Sequence, residues 1–444
     1  MKKHYKTAIR MAWPSVLESF FIALAAMIDT MMVGSLGSYA IAAVGLTTQP
    51  KFLGFSIFFA MNIAVSALVA RRNGEEDRRG ANEIFLTAMV LALILCILLS
   101  LFFVSFADPI IRIAGSELET HGPAVEYFRI IMGGMIFNIV AMCINAAMRG
   151  SGNTRIAFIT NLISSLVNVV FNYFLIGGNF GFPAWGVKGA AIATVAGSAV
   201  AMVMSLISLF RGKDFVTLGY LLKKKIRAKM ETALTILRLA TTIFLENLAM
   251  RVGFMATALI AAQLGTRAFA AHNAGMNILS IGFSFGDGMQ VAAVALAGSA
   301  LGEQKPEEAR LYGKVCQRIG FMISIAMSLF LLLFGRAVMS IYFREEDLIA
   351  IGLMVTRFIM VIVLLQISQI IYGGALRAGG DVKYTLMVGI VAVALIRTVV
   401  TIILVNFFQL GLVGIWLGIL SDQMTRFILL RHRFNQGRWT QIRI

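Results

Sequence analysis

Glu18 and Asp29 lie inside an apolar run, Trp13 to Gly37, that is long enough to cross a bilayer. A charged side chain at bilayer depth costs at least about 2.5 to 3.5 kcal/mol on the mildest scale, so membrane acids face a bundle interior or a wet cavity. Eleven residues separate the two. At about 100° per residue that is roughly three turns, which puts both carboxyls on nearly one face about 16 Å apart. Such a face can bind an ion or a proton; its alternative use is to hydrogen-bond neighbouring helices.

A second polar set follows the same logic. Asn161, Ser165, Asn168 and Asn172 recur at steps of four, three and four in an apolar segment, so they share one helix face. Thr194 lies in the small-residue stretch Gly189-Ala190-Ala191-Ile192-Ala193-Thr194, which permits close helix approach. A carboxylate, two amides and a hydroxyl (Asp29, Asn168, Asn172, Thr194) form an oxygen-rich set suited to Na⁺ or a shared proton, or to interhelical hydrogen bonding. Further along, Glu246 precedes Arg251 by five residues, and Asp287 sits between Gly286 and Gly288 in a long apolar span. Asp422 and Arg397 are weaker candidates, equally suited to pairing as structural partners. His4, His121, His272 and His432 are scattered, and Cys96, Cys143 and Cys316 have no metal or disulfide spacing. The chain has no GxxxxGK[ST] segment, which points to an ion gradient as the energy source. Clustered His or paired acidic motifs are also missing, which speaks against an enzyme such as a membrane-embedded transferase or hydrolase.

The elements that must position these groups are helices in lipid. Of 444 residues 59% are hydrophobic and 14% charged, with a mean hydropathy of +0.84, far from the roughly 25% charged of a soluble domain. The formal charge of +17 sits mostly in short loops, so the positive-inside rule accounts for it and nucleic acid is not implied. The N-terminal arm, the C-terminal tail and the loops at 71–79, 149–155, 211–238, 305–318 and 377–383 hold most of the Lys and Arg. These read as cytoplasmic, both termini are inside, the number of spans is even, and the tail can touch anionic lipid. Apolar windows predict helices near 13–34, 40–70, 84–106, 123–147, 156–177 and 187–210, then 235–262, 268–301, 315–342, 350–375, 384–407 and 411–431. This divides the chain into an N-terminal six-helix lobe (1–210), a basic connector (211–234) and a C-terminal six-helix lobe with a basic tail (235–444).

An internal repeat supports that division. A shift of 228 residues aligns Glu18 with Glu246, Leu36-Gly37 with Leu264-Gly265, Gly54-Phe55-Ser56 with Gly282-Phe283-Ser284, and Ala147-Met148-Arg149 with Ala375-Leu376-Arg377. Gly186 and Gly189 meet Gly411 and Gly414 after a three-residue slip. Six helices per repeat keep one orientation, which predicts an all-α polytopic membrane protein with two lobes related by a pseudo-two-fold axis along the membrane normal and a central cleft. Buried acids differ between the halves: Asp29 maps to Thr257, and Asp287 maps to Phe59. An acid without a twin is not needed to hold the common scaffold, which favours Asp29 for coupling. Glu18, which has a twin, is the secondary candidate.

Together these residues resemble the multidrug and toxic compound extrusion (MATE) transporters over nearly the whole length. The resemblance rests on Pro14 and Asp29-Thr30-Met31-Met32-Val33-Gly34-Ser35-Leu36-Gly37, then Met148-Arg149-Gly150-Ser151-Gly152-Asn153-Thr154 and Gly186-Val187-Lys188-Gly189-Ala190-Ala191. It continues with Glu246, Met250-Arg251-Val252-Gly253, Phe269-Ala270-Ala271-His272 and Leu376-Arg377-Ala378-Gly379-Gly380-Asp381. It implies alternating-access export of organic cations or amphipathic drugs across the plasma membrane in exchange for Na⁺ or H⁺, by a monomer with no cofactor beyond that ion. By position, Asp29, Asn168, Asn172 and Thr194 resemble the family's first-lobe cation or proton site, and Glu246 resembles its helix-seven acid. The chain departs from the family where one branch has Asp and this chain has Asn172, and where another has Asp on helix ten and this chain has Gln366. The alternative implied by a related branch is a flippase for lipid-linked precursors, which usually carries a strongly cationic cavity; the candidate groups here are acidic.

Overall fold

A computed structural model describes residues 2–210 and 214–442; Arg211 to Lys213 of the connector lie outside the described residues. Among the described residues eleven helices are long and apolar enough to span a membrane, and a bent pair supplies a twelfth. The first six spans are α1 (Lys2–Gly34), α2 (Ser38–Gly74), α3 (Arg78–Ser105), α4 (Leu118–Gly133 with Met135–Gly150), α5 (Thr154–Gly177) and α6 (Gly186–Phe210). The second six are α7 (Met230–Gln263), α8 (Thr266–Gly302), α9 (Pro306–Tyr342), α10 (Glu346–Ala378), α11 (Val382–Phe407) and α12 (Gly411–Gln436). The all-α polytopic architecture expected from the sequence is the one observed.

The α1 and α9 helices outrun their apolar windows, beginning at Lys2 and Pro306, while α2 and α8, long already in the sequence, each reach 37 residues where about 20 cross the hydrocarbon. The added turns that open α1 and α9 are polar: Lys, Arg and Glu are good helix formers, so helices continue into water where a hydropathy window stops. Pro306 fits the first turn of α9, where its missing N–H would be unpaired anyway. The side chain of Asp77 caps α3 by accepting from the Gly80 N–H at 2.8 Å.

Two spans are irregular in ways the sequence windows do not predict. The halves of α4 meet at 44° across Gly133 and Gly134, and paired glycines are a recognised cause of kinks. A Cβ on Gly134 would stand 2.6 Å from Val195 Cγ1, so the bend brings α4 against α6 at a point only glycine permits. Along α11, Ile390–Arg397 and Ile403–Phe407 are wound as π-helix, a conformation found disproportionately at functional sites.

The repeat is written into the backbone. Left-handed φ occurs at Gly37 (115°) and Gly265 (98°), at Glu76 (56°) and Gln304 (59°), and at Gly152 (89°) and Gly380 (85°), each pair separated by the same 228 residues. The same turns therefore end the same helices in both halves.

The chain forms two compact units, one of Leu17–Thr241 and the other of the residues up to Val16 together with those from Thr242 onward. The cuts fall inside α1 and α7, not at the connector. In the second unit Ala8 and Ala12 are buried in the hydrophobic core, Tyr5 accepts from Arg318 at 3.4 Å, and His4 lies 3.4 Å from Glu308. In the first unit the start of α7 is held by Glu83, which accepts from Thr232 at 2.8 Å and pairs with Lys229 at 2.7 Å. The connector is fixed there too: Arg78 donates to the carbonyls of Asp214 and Phe215, each at 3.1 Å.

Candidate functional site

In the first unit, α1 and α5 run in matched register. Asn161 donates to Glu18 at 2.6 Å and Asn172 donates to Asp29 at 2.5 Å, and both pairs lie 143 residues apart in sequence. The eleven-residue spacing of the acids is thus repeated by the amides, so both carboxyls do face one neighbour. The polar stripe on α5 splits into two functions, with Asn161 serving Glu18 and the outer amides serving Asp29.

Around Asp29 the bonds form a chain. The Asn172 amide also points at Asn168 Oδ1 at 3.4 Å, Asn168 donates to Thr194 Oγ1 at 3.2 Å, and Thr194 donates to the Ala190 carbonyl at 2.9 Å. Asn172 is fully buried, and its Oδ1 has no donor among the described residues. An acceptor oxygen left open beside a carboxylate is what a cation would use, so this donor set fits Na⁺ or a proton carrier. Gly197 makes the arrangement possible: a Cβ there would stand 2.7 Å from the Ser164 carbonyl and 3.2 Å from Asn168 Cβ. Ser164, which donates to the Gly197 carbonyl at 2.8 Å, makes the close contact with α6.

Two residues of this site escape the sequence reading. Lys51 on α2 places its ammonium 5.6 Å from the centre of the Tyr127 ring and lies within electrostatic reach of Asp29. Tyr127 is buried, and its side chain interacts with Thr194. A lone lysine after Pro50 in an apolar span was a usable signal for the first; the second had none, because Tyr127 resembles any packed aromatic.

Glu18 and Glu246 are ion-paired in the same manner. Arg149 donates to Glu18 Oε1, and Arg377 donates to Glu246 Oε1 at 2.6 Å. The two arginines are equivalent by the repeat, as are the two glutamates. Thr385 adds a bond to Glu246 Oε2 at 2.9 Å, and Arg377 also donates to Gln290 at 3.2 Å. Asp287 is exposed on α8, within electrostatic reach of Arg377. Gln366 is buried apart from these groups; its amide reaches the Leu279 carbonyl at 3.5 Å and its Oε1 has no partner among the described residues. The structure therefore gathers Asp29, Asn168, Asn172 and Thr194 into one bonded set and pairs Glu246 with Arg377, while Asp287 stays only within electrostatic reach of that guanidinium and Gln366 lies apart.

A multi-pass helical membrane protein made of two copies of a six-span unit, with membrane-depth acids held by amides and guanidiniums, belongs to the architecture of secondary transporters. The MatE family model matches residues 14–174 and again 242–403, two blocks offset by the repeat itself. The chain belongs to the MatE family, the MATE transporters. It is 27% identical over 438 residues to the "Probable multidrug resistance protein NorM" of Thermotoga maritima, covering 98% of this chain and 93% of that one. It is also 27% identical over 446 residues to the protein of the same name from Oceanobacillus iheyensis, covering 98% and 97%. Among solved structures, an outward-facing multidrug resistance MATE transporter of the MOP superfamily matches with a TM-score of 0.90 at 24% identity, covering 98% of this chain and 97% of that one. A MOP superfamily transporter from Pyrococcus furiosus, described as having a binding pocket of reverse polarity, matches at 0.88 and 24% with the same coverage. These structural matches carry the fold.

Proposed function

We propose that this chain is a secondary active multidrug exporter that moves cationic or amphipathic organic compounds out of the cell by alternating access in exchange for Na⁺ or H⁺. The observation that carries the reading is the Asp29 set: a carboxylate with no acidic twin, bonded to Asn172 at 2.5 Å and backed by Asn168 and Thr194. A cation or proton arriving there replaces the Asn172 bond and uses the open Asn172 oxygen. Lys51 acts as a tethered competitor, since its charge already offsets Asp29. Glu18 and Glu246 hold the scaffold through Arg149 and Arg377, and Asp287 is the second-repeat acid free to meet a cationic cargo. Gln366 is a packing amide in this scheme. The protein works as a monomer in the plasma membrane with both termini cytoplasmic and its basic tail on the lipid surface.

The decisive assay is uptake of a fluorescent organic cation into inverted vesicles, with a Na⁺ gradient imposed while the pH gradient is collapsed, and then the reverse. Wild type responds to one gradient, and Asp29→Asn loses that response while remaining folded. Ion-driven uptake retained in Asp29→Asn ends the proposal. A second reading, a flippase for lipid-linked precursors, is favoured by Lys51, whose charge suits an anionic headgroup. Rescue of an envelope-assembly defect, without drug resistance in a pump-deficient host, would select it.

A further inference from the structure

The second repeat builds the counterpart of the Asp29 position with the opposite charge. Thr257 stands where the repeat puts Asp29, and its hydroxyl accepts from Arg397 Nε at 2.9 Å. Arg397 ends the first π-helical run of α11, the span that repeats α5. Its Nη1 reaches Asp422 Oδ2 at 3.2 Å, and Arg426 holds the other Asp422 oxygen at 2.9 Å and 3.1 Å. The side chains of Arg397 and Asp422 are 1% and 0% exposed. Asp422 bonds to both Arg397 and Arg426, so two guanidiniums share one carboxylate, and the buried His272 imidazole of α8 lies within electrostatic reach of Arg397. A guanidinium does not shed its proton in a protein, and an unpaired charge in such surroundings is strongly penalised.

The open valence can be located. Arg397 Nη2 has no partner among the described residues. The guanidinium carbon lies 4.6 Å from the centre of the Phe254 ring, which closes one face. One further donor on the same helix, Thr401 Oγ1 one turn beyond Arg397, is fully buried and has no acceptor among the described residues. One surplus positive charge, unmet N–H and O–H donors, and an aromatic wall describe a site that takes a single negative charge of small radius.

We propose that Arg397 anchors a binding site for a small monovalent inorganic anion of chloride size in the second repeat. The anion neutralises the guanidinium that Asp422 leaves uncompensated and ties α11 to the α7 and α12 helices it packs on. The inference stands independently of which ion drives export, since it rests on the second repeat alone.

Bromide is the probe. Crystals of the full chain grown with bromide in place of chloride should show an anomalous peak within about 3.5 Å of Arg397 Nη2. Melting of the purified protein in bromide or chloride, compared with gluconate at equal ionic strength, should rise by about 3 to 5 °C at saturating halide. Arg397→Gln leaves Asp422 paired one-to-one with Arg426, and should abolish both the peak and the halide response. The proposal is overturned by a wild-type map without bromide at Nη2, by a peak that persists in Arg397→Gln, or by a wild-type melt indifferent to halide. Should Arg397→Gln fail to fold, the wild-type map and melt decide alone.

Discussion

Arg377→Gln removes the guanidinium from a carboxylate that is almost entirely withdrawn from water. Glu246 is 8% exposed and its two oxygens are held at 2.6 Å and 2.9 Å by Arg377 and Thr385. Breaking a buried pair from one side costs about 3 to 5 kcal/mol, because the remaining charge is stranded. For a unit of some 200 residues each kcal/mol shifts melting by about 2 to 4 °C, so Arg377→Gln should lower it by roughly 6 to 20 °C. Adding Glu246→Gln removes the stranded charge and leaves neutral hydrogen bonds worth about 1 kcal/mol each. The double variant should therefore melt above Arg377→Gln, with a coupling energy of about 2 kcal/mol or more in the cycle. The assay is thermal unfolding of the detergent-purified protein, run beside ion-driven uptake in vesicles. A double variant that loses as much as the two single losses added together, or one that is stable yet unable to couple, refutes the assignment of Glu246 to the scaffold.

Other outcomes follow from the same geometry. Lys51→Met should tighten binding of the driving ion, since it removes a positive charge that acts on Asp29. The half-saturating ion concentration should fall by roughly an order of magnitude, and no change would remove Lys51 from the site. Asn172→Ala should abolish coupled uptake with the protein intact, whereas Asn161→Ala should weaken the fold by about 1 to 3 kcal/mol and keep coupling; equal loss of coupling in both would erase the division of the α5 stripe. Gly197→Val should force α5 from α6 at the Ser164 carbonyl and cost both coupling and about 2 kcal/mol or more of stability, and wild-type uptake in that variant would show that the close approach is dispensable.

Much of the fold is legible in the sequence because lipid imposes a coarse rule: every backbone group must be satisfied inside a helix, so apolar length alone marks a span. The repeat is legible for a similar reason, since turns that need left-handed residues recur at the same offset, as at Gly37 and Gly265. The Asn168 and Asn172 pair is legible because one turn of helix fixes which residues share a face. Lys51 and Tyr127 reach the site through packing of α2 and α4 on their neighbours, and no local spacing encodes that. The same holds for the bend at Gly133–Gly134, where the crowding residue is Val195 on α6. The twin salt bridges were half legible: the repeat aligns the glutamates and the arginines separately, while the pairing across 131 residues is a tertiary fact.

The exchange of helix ends has a consequence for how the chain is made. The segment up to Val16 is made long before the second half, yet Ala8 and Ala12 find their core among residues of that half. The first compact unit, in turn, is complete only when Thr241 has been synthesised, because Thr232 and Lys229 are needed at Glu83. Neither repeat is thus a self-sufficient product of its own stretch of message. Insertion can proceed helix by helix, but final packing must wait for the second half, and the segment that carries Ala8 and Ala12 stays undocked until its late partner arrives.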